Sequence, residues 1–253
     1  MRALGNLIVA TLLLLSAPVQ SHQGSSFTTT VSGIVAPYLP QPSAYVRPHV
    51  AQLINTQRLH IKHVAHTYNQ SDISGLTDNE FASILVMILY TEHHGWLEDV
   101  VPNIRTFTPL FQELQVISND RLGTNFSVWP ANLRPSVIDE IRQENTPLES
   151  VFFFKVTTKH HTSNELATDP SSAIELLAAN MARGIRQAHR TNMPVTTESI
   201  LAWHNAGLVD AQLIADNRSV QHYISRAMIY HTMAQSMVRD EVACLQPTGF
   251  FVQ

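Results

Sequence analysis

One cysteine, few charged residues and no long block of charge or apolar residues: each shortage in this chain closes off a class of protein. A single thiol, Cys244, cannot form an internal disulfide, so a disulfide-stapled scaffold is excluded. Charged residues make up only 14% of the 253, too few for a disordered chain or a coiled coil. The 16 Lys and Arg form no long basic run and the formal charge is -4. Phosphate binding needs concentrated positive charge, so nucleic acid is not an expected partner. The apolar run from Leu7 to Leu15 is shorter than the roughly 20 residues that span a bilayer as a helix.

What the chain does have is a hydrophobic fraction of 44%, enough for a substantial core. At the amino terminus Arg2 precedes the Leu7–Leu15 run, and Val19-Gln20-Ser21 supplies a small-residue cleavage site before His22. This is the pattern of a secretory signal peptide over 1–21, with an uncleaved anchor as the competing reading. No cysteine follows the run, which argues against a lipoprotein. The expected mature protein is secreted or periplasmic, with no stable membrane span after cleavage.

Residues 22–74 read as an extended arm, rich in Ser, Thr and Pro, followed by a helix from about Val50 to Asn69. A domain over 75–245 and a tail over 246–253 complete the division. Within the domain, Thr77-Asp78-Asn79-Glu80 has capping-box spacing. The apolar run Phe81–Tyr90 then predicts a buried helix, with strand as the rival for so short an apolar run. Further helices are predicted near Pro109–Ser118, from Pro135, after Asp169-Pro170, up to a stop at Gly207, and as one long closing helix from Arg218 to Arg239. Val151–Val156 is the one strand-like run. The fold class is therefore mainly α, with at most a small strand element.

Glu92 ends the apolar helix. A helix C-terminus carries partial negative charge and the apolar surroundings desolvate the carboxyl, so both effects should raise its pKa and favour a neutral acid. The plain alternative is a Glu that turns into solvent. Three further pieces follow in order: "NFSVWPANLRPSV", "LATDPSSAIELLAANM" and "LAWHNAG", the last with "VQHYISRA" shortly after.

Together these resemble the lysozyme-like superfamily, especially lytic transglycosylases and goose-type lysozymes. In that family an apolar helix ends in a catalytic Glu. A Ser-aromatic-Gly-x-x-Gln-x-x-Pro segment follows, then an Asp-Pro helix start, Ala-x-Tyr-Asn-x-Gly, and a Tyr-Val pair in the last helix. The matching positions are Glu92; Ser127, Asn132 and Pro135; Asp169 and Pro170; Ala202, His204, Asn205 and Gly207; and Tyr223, spanning roughly residues 77 to 230. Trp129 stands where the family has Gly, Asn132 where it has Gln, and His204 where it has Tyr. The stretch between Glu92 and Ser127 is also longer than in the commonest transglycosylases.

The resemblance implies a helical domain with a substrate cleft and Glu92 as general acid and base. Ser127, Asn132, His204, Asn205 and Trp129 would contact substrate, and Asn205 would face Glu92. The implied bond is the β-1,4 linkage between N-acetylmuramic acid and N-acetylglucosamine in peptidoglycan glycan strands, with no cofactor. Most glycosidases use two carboxylates, whereas lytic transglycosylases need only one, because the sugar's own groups complete the displacement. Transglycosylase is thus the first expectation and hydrolase the second. For a hydrolase, Glu98, Asp99, Glu113 and Asp120 are the unranked candidates for a second acid. Trp96 and Trp203 offer further flat apolar faces, with core packing as the default.

Two other classes remain open. A degenerate member would bind glycan without cleaving it. The 13 histidines raise a metal-binding reading, but the spacing of His60, His63 and His66 spreads their rings. "EHH" is not the His-Glu-x-x-His pattern either, so no metal ligand is assigned.

Overall fold

Twelve α-helices follow one another in residues 45–93, 106–144 and 162–239, the parts that the computed structural model describes. They are α1 (Pro48–Thr56), α2 (Arg58–Tyr68), α3 (Ser71–Ser74), α4 (Asp78–Glu92), α5 (Thr108–Leu122), α6 (Pro135–Gln143), α7 (Thr162–Thr168), α8 (Pro170–Arg190), α9 (Thr197–Ala206), α10 (Ala211–Asp216), α11 (Arg218–Met228) and α12 (His231–Val238). The segment 1–21 with its expected signal pattern, most of the expected arm, the Val151–Val156 run, His94, Trp96, Glu98, Asp99, His160, His161 and Cys244 lie outside the described residues.

The helix starts follow local chemistry. Glu80 N–H donates to Thr77 Oγ1 at 3.2 Å and Thr77 N–H to Glu80 Oε2 at 2.8 Å, the reciprocal capping box that the spacing predicts. Pro135 opens α6, where its missing N–H costs nothing. Asp169 caps α8 by accepting from the N–H groups of Ser171 and Ser172. Gly207 ends α9 at φ +68°, a left-handed conformation that glycine adopts without penalty.

Every residue of α4 from Phe81 to Thr91 is buried. Helices α2, α8, α9, α11 and α12 pack around it. Side chains such as Phe81, Leu85 and Ile88 each contribute about 1.5–3 kcal/mol on leaving water. The same core takes in Val50, Ile54, Ile61 and Val64 of α1 and α2. Packing therefore runs across the boundary that the sequence suggests between residues 74 and 75. No described helix is long and apolar enough to cross a membrane.

Two helices differ from the sequence pattern, and tertiary partners explain both. The stretch from Val50 to Asn69 divides at Gln57, whose Oε1 accepts from Ser171 Oγ at 3.0 Å; His60 Nε2 meets Ser171 O at 3.0 Å. The chain turns to reach the first turn of α8. The closing helix is not continuous but breaks between Met228 and His231. There Tyr230 is buried, donates its hydroxyl to Tyr45 O at 2.7 Å and lies 5.4 Å from the ring of Tyr90.

Candidate active site

Glu92 is the last residue of α4, so it sits where helix carbonyls run out of intrahelical donors. Two arginines from opposite ends of the described chain answer this. Arg47 Nη1 donates to His93 O at 2.7 Å, and Arg226 Nη2 donates to Thr91 O at 3.4 Å. Cations at this end oppose the partial negative charge of the helix. His93 Nδ1 also meets Tyr90 O within the same turn.

The carboxyl is gripped from both sides. Asn132 Nδ2 donates to Glu92 Oε2 at 2.6 Å, and His204 Nε2 meets Glu92 Oε1 at 3.2 Å. The Tyr223 hydroxyl leans on the same carboxyl without reaching full hydrogen-bond geometry. The rings of His204 and Tyr223 lie 6.0 Å apart. Glu92 keeps 12% of its side-chain surface exposed and His204 only 2%.

Local backbone geometry aims these groups. Asn132 lies in a four-residue turn closed by the antiparallel bridge between Val128 and Leu133, where Val128 N–H donates to Leu133 O at 3.0 Å. Its φ of +51° is left-handed, a region that Asn tolerates better than most residues. His204 comes from the last turn of α9. Tyr223 and Arg226 stand three residues apart on α11 and therefore share one face.

This environment reverses the ionisation expected from the sequence. Burial is the largest single influence on Glu92 and does raise its pKa. The hydrogen bond and charge of His204, then Tyr223 and Arg226, together outweigh it and hold the carboxyl below the usual range. Glu92 is thus a carboxylate at neutral pH, not a standing neutral acid. Tyr223 is pushed the other way, well above the usual phenol value, by burial first and then by the adjacent carboxylate.

Of the residues singled out in the sequence, Asn132 and His204 meet Glu92. Asn205 does not bond to it; its neighbour His204 takes that place. Ser127 is half-buried just before the bridge and makes no hydrogen bond to Glu92. Trp129 lies in the Asn132 turn and lines a neighbouring groove. Arg47 and Arg226 are the participants that sequence reasoning missed. The spacing of Arg226 from Tyr223 is a signal that could have found it, whereas Arg47 offered none.

Three buried polar atoms lack a hydrogen-bond partner among the described residues and belong to this neighbourhood: Trp129 Nε1, His204 Nδ1 and Tyr223 Oη. Unsatisfied buried groups are rare and call for an explanation, of which a ligand is one. Among the described residues no three of His, Cys, Asp and Glu converge to hold a metal ion. His60 is turned to Ser171 O, and His66 pairs with Asp78 at 2.7 Å.

Comparison with protein-family models, curated proteins and solved structures finds no match to this chain.

Two outcomes test the geometry. Asn132→Asp replaces a donor by a second carboxylate, and like charges this close cannot both ionise easily. The pair should then titrate at least about one pH unit higher than Glu92 alone, read by carboxyl-carbon NMR. An unchanged titration would mean that Asn132 does not hold the carboxyl in solution. Gly184 on α8 faces Trp203, whose Cγ would lie 2.5 Å from an added Cβ. Trp203 also donates to Asn180 O at 2.8 Å, so it is held in place beside His204. Gly184→Ala should lower stability by about 1–2 kcal/mol in urea denaturation, overpacking outweighing the better helix propensity of Ala. A gain in stability would show that α9 shifts freely.

Proposed function

We propose that this protein cleaves the glycan strands of peptidoglycan at the β-1,4 bond between N-acetylmuramic acid and N-acetylglucosamine. Glu92 acts as its proton-transfer group in a lysozyme-like cleft, and the protein works outside the cytoplasm. The observation that carries this reading is convergence. Asn132, His204 and Tyr223 come from three separate segments, were matched to the superfamily by sequence order, and surround one carboxyl at the end of a buried helix.

The chemistry follows from the balance at that carboxyl. At rest the donors hold it ionised, so it must gain a proton before it can protonate a leaving oxygen. A sugar chain laid over the 12% of Glu92 that is exposed would strip its remaining water. That strengthens burial, the one influence that raises its pKa. The oxocarbenium-like transition state then forms beside a carboxylate that has given up its proton, while Asn132 and His204 stabilise the returning negative charge.

After leaving-group departure the carboxylate can take a proton from the sugar's own 6-hydroxyl, giving a 1,6-anhydro end, or from water, giving a reducing end. Transglycosylase is preferred because no second carboxylate reaches the site among the described residues. Mass spectrometry of fragments released from purified sacculi tests the choice, since the two products differ by one water. Anhydro ends support the transglycosylase; reducing ends would make the enzyme a hydrolase. No release at all would leave a glycan-binding protein, and release abolished by a chelator would move the chemistry to a metal.

A further inference from the structure

Helices α5 and α9 stop by local means, at Gly123 and Gly207 in left-handed conformations. The end of α4, which carries Glu92, has no such device. Its cap residue His93 stays right-handed at φ -70° and ψ -11°. The carbonyls around Glu92 are met by side chains instead: Tyr90 O by His93 Nδ1, Thr91 O by Arg226 and His93 O by Arg47. Arg226 shares α11 with Tyr223, which already belongs to the site. Arg47 comes from 46 residues before His93 and from a different part of the fold.

We infer that Tyr45-Val46-Arg47 is a clasp on the catalytic turn, in which Arg47 is a positioning residue that fixes Glu92 through the His93 carbonyl. The inference rests on Glu92 acting on glycan and adds what holds that carboxyl in register with Asn132 and His204. Arg47 is buried and bridges His93 twice. Its Nη1 donates to His93 O at 2.7 Å, and its backbone N–H to His93 Nε2 at a long 3.4 Å. The clasp is itself anchored on both sides. Tyr45 O accepts from the Tyr230 hydroxyl at 2.7 Å, the Tyr45 ring lies 5.9 Å from that of His93, and Val46 packs on the core. On the other side Arg47 caps α1, its carbonyl accepting from the N–H groups of Val50 and Ala51.

These contacts also assign the His93 ring. A backbone N–H only donates and a carbonyl only accepts, so His93 is neutral with its proton on Nδ1 and a bare Nε2. The Glu92 side chain leaves the chain one residue before the carbonyl that Arg47 grips. A shift of that turn moves the carboxyl away from Asn132 and His204 together, and a misplacement of about 1 Å costs on the order of a hundredfold in rate.

The test uses the full chain and reads Glu92 with and without glycan. In Arg47→Leu, carboxyl-carbon NMR should show Glu92 titrating at least about half a pH unit higher. The influences of His204, Tyr223 and Arg226 that lower it all depend on where the carboxyl sits. Release of fragments from purified sacculi should fall about a hundredfold in kcat with KM unchanged. Arg47→Lys still donates to the His93 carbonyl and should recover most of both. Ile61→Ala, a core truncation on α2 that touches none of these hydrogen bonds, should lower stability and leave the Glu92 titration in place. Should Arg47→Leu fail to fold, the wild-type chain labelled with nitrogen-15 decides: His93, assigned through the backbone, must carry its proton on Nδ1. A proton on Nε2, an unmoved Glu92 titration in Arg47→Leu, or an equal shift in Ile61→Ala would each overturn the clasp.

The two readings fail separately. A wild type that releases no fragments sinks glycan cleavage, while the titrations still decide the clasp. A wild type that cleaves, beside an Arg47→Leu variant with unchanged titration and turnover, sinks the clasp and leaves the catalytic reading.

Discussion

Glu92→Gln should lower the release of fragments from purified sacculi by about a thousandfold, within the 10²–10⁴ range that proton transfer by a positioned side chain contributes. Gln keeps the size of the side chain; its one oxygen can still accept from Asn132, while its NH2 can donate to His204 in the tautomer whose Nε2 accepts, at the contacts of 2.6 and 3.2 Å that locate the carboxylate. What it loses is the ability to carry a proton to the leaving oxygen and take one back. Binding of glycan should therefore persist while turnover falls, a loss in kcat with little change in KM. Were the variant to release fragments at the wild-type rate, Glu92 would have no part in the chemistry. A parallel fall in binding and turnover would instead mark it as a structural or substrate-binding residue.

The sequence made some of this arrangement legible because the relevant signals are local. A capping box acts over three residues, so Thr77 and Glu80 announce the start of α4 without help from the rest of the chain. Asp169 and Gly207 similarly mark ends through their own side chain or the lack of one. Asn132 and His204 were legible as positions in an ordered motif, though nothing local showed which atoms would meet. The break at Tyr230 was not legible, because it depends on Tyr45 and Tyr90, which are remote in sequence. The ionisation of Glu92 failed for the same reason. Helix end and apolar run are visible in sequence, whereas the donors that outweigh them arrive from other segments. Ser127 and Asn205 show the converse: a motif position can be matched without bonding to the group it was expected to serve.

The Glu92 environment also links stability to pH, and Arg226→Leu should expose that link. A carboxyl whose folded pKa is depressed stabilises the fold above its unfolded value, about 4.3 for Glu, and this contribution is lost as pH falls through the lower folded value. Arg226 is buried, lowers the Glu92 pKa by its charge and donates to Thr91 O. Replacing it with Leu keeps apolar volume but removes the cation and leaves a helix-end carbonyl short of a donor. At pH 7 the variant should lose about 2–3 kcal/mol in urea denaturation, the penalty for such a buried acceptor plus the lost attraction to a partly screened carboxylate. As pH falls below about 4 the difference between wild type and variant should narrow, because a protonated Glu92 no longer gains from a neighbouring cation. On the proposed mechanism, which needs Glu92 protonated, the alkaline limb of the pH–rate profile should move upward for the same reason, whereas Arg226→Lys should restore most of both effects. A stability difference that stays constant from pH 7 to pH 3 would show that Arg226 serves packing alone and that its charge is not coupled to the carboxyl.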